Sequence, residues 1–335
     1  MQYEQRDPTR SEGDLQNGVK KASLNRLREQ LDPLVPIFIL VDPLVSDLMP
    51  GIDITRSVGA LQTSRELAWQ RMIVSVELSA SIQLPHHMRP YMVQLHGVHD
   101  PLLELSFYAA VDELQQTLAG GLEGQGVAPH RVGGWLQTAM RGQALAKTIA
   151  EMCNVNTDAY TTDTYLRIAD RRVLSLLNYV VNKQRVAEQM GQLRTWIFLD
   201  GIGELSRLDS SYGEIKRLRL NTVEWRRMEQ GQYIHRTLAH WYGELTENAT
   251  SRLFCLTDMY AAIENAHAQT ALSARKWPHR FKTIDDHTAW TALLLVSPEI
   301  ARRDSVQEKL ASLGSAVEPA ETVRYLIREI SASDK

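Results

Sequence analysis

The stretch Tyr165-Leu166-Arg167-Ile168-Ala169-Asp170-Arg171-Arg172-Val173-Leu174 constrains the fold more than any other part of the chain. Tyr165, Leu166 and Ile168 suit a pleated, half-buried strand. From Val173 the apolar period changes, and Val173, Leu176, Leu177, Val180 and Val181 follow helical spacing. Between the two periods stand four charges, Arg167, Asp170, Arg171 and Arg172. Burying such a cluster unpaired is costly, so the junction has to be paired, solvated or held for a partner. Arg167, Asp170 and Arg172 read first as a pairing network that fixes how the strand meets the helix.

The flanking sequence continues the alternation of strand and helix. Ser23 is placed to cap a short helix bearing Leu24, Leu27 and Leu31. Ile37 to Val41 is a continuous apolar run closed by Asp42, the pattern of a strand buried on both faces inside a mixed or parallel sheet. Met72–Leu78, Tyr91–Leu95 and Thr195–Asp200 supply further strands. Leu103, Phe107, Leu114 and Leu118 share one helical face, and Met140 through Cys153 reads as a helix. Residues 120–126 form a glycine-rich break, with Gly133-Gly134-Trp135 after it.

Beyond about Asp209 only helical spacing remains. Ile234, Leu238, Trp241 and Leu245 make one apolar stripe, and Leu253, Leu256, Tyr260 and Ile263 a second. Trp290, Leu293 and Leu294 make a third, Ser297-Pro298-Glu299 opens a helix that continues through Val306, Leu310 and Leu313, and Pro319 opens a last one. The expected architecture is α/β: a polar tail over residues 1–21, a mixed-sheet α/β lobe over 22–208 and an all-α lobe over 209–333. A chain of 335 residues is long enough for two such cores.

Composition narrows the function classes. A net charge of −3 gives the molecule no overall nucleic-acid or acidic-membrane footprint. Two cysteines, Cys153 and Cys255, fit neither a disulfide framework nor a CxxC motif, which suits a reducing cytoplasm. The N-terminal stretch lacks the apolar core of a signal peptide. The longest apolar run, near Val35–Val45, is broken by prolines and Asp42 and is too short to span a bilayer.

No catalytic signature matches in strength. The glycines at 120–126 lack a P-loop's Gly-Lys-Ser/Thr ending and follow a helix, so a surface loop is the better reading. His86, His87, His96 and His99 invite a metal-dependent hydrolase as the alternative function, although the tight spacing of an HExxH site is missing. Gly-x-Ser-x-Gly is absent, no carboxylate pair stands out as acid and base, and no cofactor is expected. Two basic patches remain: Lys216, Arg217, Arg219, Arg226 and Arg227 near the joint of the lobes, and Arg275, Lys276, Arg280 and Lys282 interleaved with Trp277 and Phe281. Arg275, Trp277, Arg280 and Phe281 are a candidate partner surface, since Trp and Arg are enriched at interface anchors. The same patch could serve nucleic acid, a reading the acidic total disfavours.

At the opening stretch the sequence also resembles a known family, the type VI secretion effector adaptors or Tap/TEC chaperones, a domain-of-unknown-function family. Its motif Arg-Phe-Tyr-Asp-Pro-Arg-Val-Leu is similar to Arg167-Ile168-Ala169-Asp170-Arg171-Arg172-Val173-Leu174, with Arg171 in place of the proline and Ile168 and Ala169 in place of the aromatics. Its early strand ending in Asp resembles Ile37–Asp42, its Pro-Tyr-Leu-Val-x-Leu strand resembles Pro90-Tyr91-Met92-Val93-Gln94-Leu95, and its Gly-Trp-Leu segment resembles Gly134-Trp135-Leu136. The resemblance covers residues 33–205. It implies a cytoplasmic, non-enzymatic adaptor that binds a toxic effector and helps load it onto the VgrG spike. It also implies that Asp42, Tyr91, Trp135, Arg167, Asp170 and Arg172 carry structure or partner binding.

Overall fold

In the computed structural model, which describes residues 23–54, 57–120, 129–160, 164–213, 215–249 and 256–312, the apolar run becomes β1 (Ile37–Val41) with every residue buried. It lies inside a six-stranded sheet with β2 (Ile73–Ser75), β3 (Tyr91–Gln94), β4 (Val132–Gln137), β7 (Thr195–Leu199) and β8 (Leu205–Asp209), in the order β2-β3-β1-β4-β7-β8. Every pairing in this sheet is antiparallel. Burial on both faces suggested mixed or parallel strands. The actual cause is that helices cover both faces of an antiparallel sheet, and two-sided burial does not fix strand direction.

The alternation of side chains along the strands sorts the core into two layers. Ile37, Ile39 and Val41 of β1, with Tyr91, Val93, Trp135, Ile197 and Leu199, pack under α1 (Leu24–Gln30), Trp69 of α2 (Val58–Trp69) and α3 (Pro101–Gly120). Phe38, Leu40, Met92, Leu136, Trp196 and Phe198 point the other way. They meet α4 (Gly142–Cys153), α5 (Arg171–Val181) and α6 (Lys183–Ala187). Ser23 caps α1 as expected, its side chain accepting from the Arg26 backbone N–H.

The Gly133-Gly134 pair is not part of a loop but lies within the buried strand β4. Between Leu40 and Val41 the β1–β4 register slips, so that Gly133 is an extra residue in the ladder. A side chain on Gly133 would sit 2.5 Å from the Ala169 carbonyl oxygen. One on Gly134, whose φ is +131°, would run into the Ile197 carbonyl. Glycine is required here for close backbone approach rather than for flexibility.

A second, small sheet is formed by β5 (Asn154–Thr157), β6 (Thr164–Tyr165) and β9 (Arg219–Leu220), with β5 and β9 parallel. The strand expected to run through Ile168 therefore stops at Tyr165. Leu166 still donates to the Cys153 carbonyl at 2.7 Å, and the chain then turns, Asp170 N–H to Arg167 carbonyl at 3.0 Å, before α5 begins.

After β8, and apart from β9, the described elements are helices: α7 (Thr222–Glu229), α8 (Gly231–Ala249), α9 (Leu256–Lys276), α10 (Ile284–Val296) and α11 (Asp304–Ser312), with a 3-10 turn at Pro298–Arg302. The class is thus α/β followed by helices, as the periodicity predicts. α8 packs against both α3 and α10. Ile234 and Leu238 of α8 and Met259, Tyr260 and Ile263 of α9 join the same apolar cluster as Phe38 and Leu40, so packing continues across residue 209. Trp277, Phe281, Trp290, Leu293, Ile300, Val306 and Leu310 form a separate small core at the C-terminal end. The tail at 1–21, the glycines at 121–126, Leu253, Cys255 and the helix opened by Pro319 lie outside the described residues.

Candidate functional site

Helix α5 starts where it does because Asp170 caps it, Oδ1 accepting from the Arg172 backbone N–H at 3.0 Å. The same carboxylate grips the Arg172 guanidinium through Nε (3.0 Å) and Nη2 (2.6 Å). Arg167 Nη1 lies 3.5 Å from Asp170 Oδ2, while its Nε donates to Asp42 Oδ2 at 2.5 Å. Asp42 follows β1, its own N–H donating to the Arg131 carbonyl at 2.7 Å. The charges that the sequence grouped thus tie the end of β1 to the start of α5.

The two carboxylates behave oppositely. Burial pushes Asp42 up to about 6, more than the neighbouring Arg167 pulls it down. Asp170 is just as deeply buried, but the charge and hydrogen bonds of Arg172 override that burial and hold it well below the usual carboxylate range. For Arg167, burial works against the charged form and is outweighed by Asp42 and Asp170, which raise it above its ordinary value.

Arg171, one residue on, faces the other way. It is 1% exposed and donates through Nη1 to Glu113 Oε2 and the Val132 carbonyl, both at 2.9 Å, and through Nη2 to the Ala110 carbonyl at 2.6 Å. Glu113 also accepts from Arg131 Nε at 2.9 Å. Burial holds the Arg171 guanidinium below its ordinary value despite that carboxylate. This cluster locks α5 onto α3 and β4. Sequence reading passed over Glu113, yet it left a signal: a carboxylate on the same helical face as Leu103, Phe107 and Ala110 has to find a buried cation.

Arg167, Asp170 and Arg172 also form one wall of a cavity of about 510 Å³ between the start of α5 and helices α7 and α8. Leu166, Val173, Leu176, Trp225 and Met228 give it apolar walls, and Glu229, Gln232, His235 and Arg236 complete its polar lining. Trp225 Nε1 donates to Glu229 Oε1 at 2.7 Å, and Arg236 Nη1 to Asp285 Oδ1 at 2.7 Å. Burial pushes His235 down to about 4. Trp225, Glu229, His235 and Arg236 went unseen in the sequence, because nothing in their spacing relates them to residues some sixty positions earlier.

The other expected site residues fall elsewhere. Tyr91 is buried under the first face of the sheet, its hydroxyl donating to Asp47 Oδ1 at 2.5 Å and accepting from Trp69 Nε1 at 3.0 Å. Arg65 covers its ring at 4.1 Å and bonds Asp47 at 3.0 Å. Trp135 is fully buried, Nε1 donating to the Ser106 hydroxyl at 2.9 Å. Both are core residues, remote from the Arg167–Asp170 joint in their contacts.

The expected partner surface at 275–281 needs a correction. Trp277, Arg280 and Phe281 are buried, at 8%, 2% and 7% exposure, and only Arg275 of the four is exposed. Past the end of α9 the chain turns, Arg280 N–H to Trp277 carbonyl at 2.9 Å, and this turn carries all three inward against the small C-terminal core, where Arg280 Nε donates to the Leu310 carbonyl at 3.1 Å. A basic-aromatic run looks the same whether its aromatics stack outward or pack inward. Near the joint of the lobes, Lys216, Arg219 and Arg227 pair with Glu188, Asp158 and Glu264.

His86, His96 and His99 are exposed and His87 is half-buried. Asp100, the neighbouring carboxylate, is taken up by Arg71 and by the His96 and Leu102 backbone N–H groups. Among the described residues no three His, Cys, Asp or Glu side chains gather where they could hold a metal ion. None of the described helices is long and apolar enough to cross a membrane.

Comparison with known proteins returns no matching family model, no matching curated protein and no matching solved structure.

Proposed function

We propose that this chain is a cytoplasmic adaptor chaperone that binds a toxic effector of a type VI secretion system and helps load it onto the VgrG spike. The observation that carries this reading is a coincidence of place: the residues of the family-like motif, Arg167, Asp170, Arg172 and Val173, line the cavity between α5 and α7–α8. A mostly apolar recess rimmed by arginines is the chemistry of a protein-binding anchor. The deeply paired state of Asp170 supports a joint that presents this recess rather than a group that reacts.

The test is co-expression of the full-length protein with the effector and spike proteins encoded beside it, followed by affinity capture and size-exclusion chromatography. Stable co-elution with the effector is the expected result. A chain that elutes alone from every such pairing would overturn the reading.

A further inference from the structure

The two edges of the six-stranded sheet are finished differently. At β2 the Met72 carbonyl accepts from the Gln94 N–H and the Val76 N–H donates to the Pro90 carbonyl, so Ile73 and Ser75 turn their backbone groups outward. Helices α2 and α4 pack against that strand, and Gln62 Nε2 reaches the Ile73 carbonyl at 3.5 Å. At β8 the inner ladder is fixed at both ends. Ser210 N–H donates to the Arg194 carbonyl at 3.0 Å, and Asp200 N–H to the Glu204 carbonyl at 2.9 Å. With Trp196 opposite Leu208 and Phe198 opposite Ser206 between them, the alternation sends the N–H and C=O groups of Leu205, Arg207 and Asp209 away from β7. None of these groups has a hydrogen-bond partner among the described residues. Arg207 and Asp209 are exposed and Leu205 is half-buried.

An edge in this state can take on another strand, and its side chains select which one. Arg207 and Asp209 stand two residues apart on the same face of β8, with Arg207 Nη2 2.8 Å from Asp209 Oδ1. When a second β8 lies antiparallel beside the first, hydrogen bonds form only where outward residues meet outward residues. In one such register Arg207 lies across from Asp209 of the second copy, and Asp209 across from its Arg207. A slip of two residues one way sets Arg207 against Arg207, and the other way Asp209 against Asp209. Opposite charges across a ladder stabilise it and like charges destabilise it. The strand is therefore complementary to itself in a single register.

We propose that β8 is a homodimer interface, joined edge to edge with β8 of a second copy in the antiparallel register that pairs Arg207 with Asp209. The contact is two-fold and isologous, and it continues the sheet from one copy into the other. It does not depend on the adaptor reading, because only this chain takes part.

The test is sedimentation velocity of the full-length protein over a concentration series. Arg207→Pro removes an outward N–H and leaves the β7 ladder, which uses Ser206 and Leu208, intact. Arg207→Asp sets like charges across the joint, and Arg207→Asp/Asp209→Arg restores opposite ones. Circular dichroism and the melting temperature establish that each variant is folded.

The wild type is expected to show a concentration-dependent monomer–dimer equilibrium. Arg207→Pro and Arg207→Asp should each weaken it at least about tenfold, since each change enters twice across the two-fold axis. The double swap should recover most of the loss. A wild type that is monomeric throughout overturns the proposal, as does a dimer that survives unchanged in a folded Arg207→Pro or Arg207→Asp. Failure of the swap to recover the dimer overturns the charge-paired register. If Arg207→Pro does not fold, Arg207→Asp and its swap decide alone. A monomeric wild type whose effector capture is lost in a folded Arg207→Pro assigns the edge to the effector and overturns the second copy.

Discussion

Replacing Asp170 by alanine should destabilise the protein by about 3–5 kcal/mol. Two losses overlap in that figure. Removing a helix N-cap costs about 0.5–2 kcal/mol, and Asp170 Oδ1 is the acceptor for the Arg172 N–H in the first turn of α5. Removing one partner of a buried ion pair costs about 3–5 kcal/mol, because the remaining charge is left uncompensated. Here Asp170 is 2% exposed, and its loss leaves Arg172 and Arg167 facing one another across the space it filled. The same oxygen serves cap and pair, so the costs do not simply add. Urea unfolding followed by far-UV circular dichroism at pH 7 measures the change as a shift in midpoint at constant slope. Asp170→Asn, which retains a capping oxygen, should lose less.

The pH dependence gives a second reading of the same contact. The folded-state pKa of Asp170 is lowered, so its contribution is present above the ordinary carboxylate range and is lost as pH falls through the folded value. The gap between wild type and Asp170→Ala should therefore narrow in strong acid. A loss under about 1 kcal/mol, which is what a surface change would cost, together with abolished effector binding would refute the reasoning. The junction would then be a binding site and not a joint.

Three other outcomes are expected. Glu113→Gln should cost about 3–5 kcal/mol by leaving Arg171 buried without its carboxylate. The double change Glu113→Gln/Arg171→Met should cost less than the sum of the single ones, as thermal or urea midpoints in a double-mutant cycle will show. Gly134→Ala should destabilise by more than about 3 kcal/mol or prevent folding, since the new methyl meets the Ile197 backbone at a positive φ; a soluble variant with the wild-type melting temperature would contradict this. Asp42 has a raised folded pKa of about 6, so the folded state holds its proton more tightly than the unfolded one, and this group's contribution to stability falls as pH rises from about 4 to about 6. Subtracting the Asp42→Asn melting curve from that of the wild type should isolate this decline, and a difference that stays flat over that window would rule it out.

Local periodicity was enough to place most elements. The apolar run at 37–41, the helical stripes of α3, α8 and α10 and the cap at Ser23 each depend on residues within a turn or a pleat of one another, so the linear order displays them. β4 was hidden because two glycines inside a strand look like a loop until the strand on either side is known. The 275–281 patch differs from its expected exposure for a related reason: the turn after α9 that carries Trp277, Arg280 and Phe281 inward is set by packing against Ile300, Val306 and Leu310, which no local spacing displays.

What the sequence by itself determined about the opening junction was that its four charges could not be buried alone and that strand had to give way to helix near Asp170. Which charge pairs with which was a tertiary decision. Asp42 and Arg167 are 125 positions apart, and Arg171 and Glu113 are 58 apart. Arg171 turns into the core while Arg172, its neighbour, turns toward the cavity, because successive residues on a helix start point about 100° apart and only packing chooses which direction is inside. The cavity exists only once α7 and α8 are laid against α5. Burial and long-range pairing depend on that arrangement, and no local pattern in the chain encodes it.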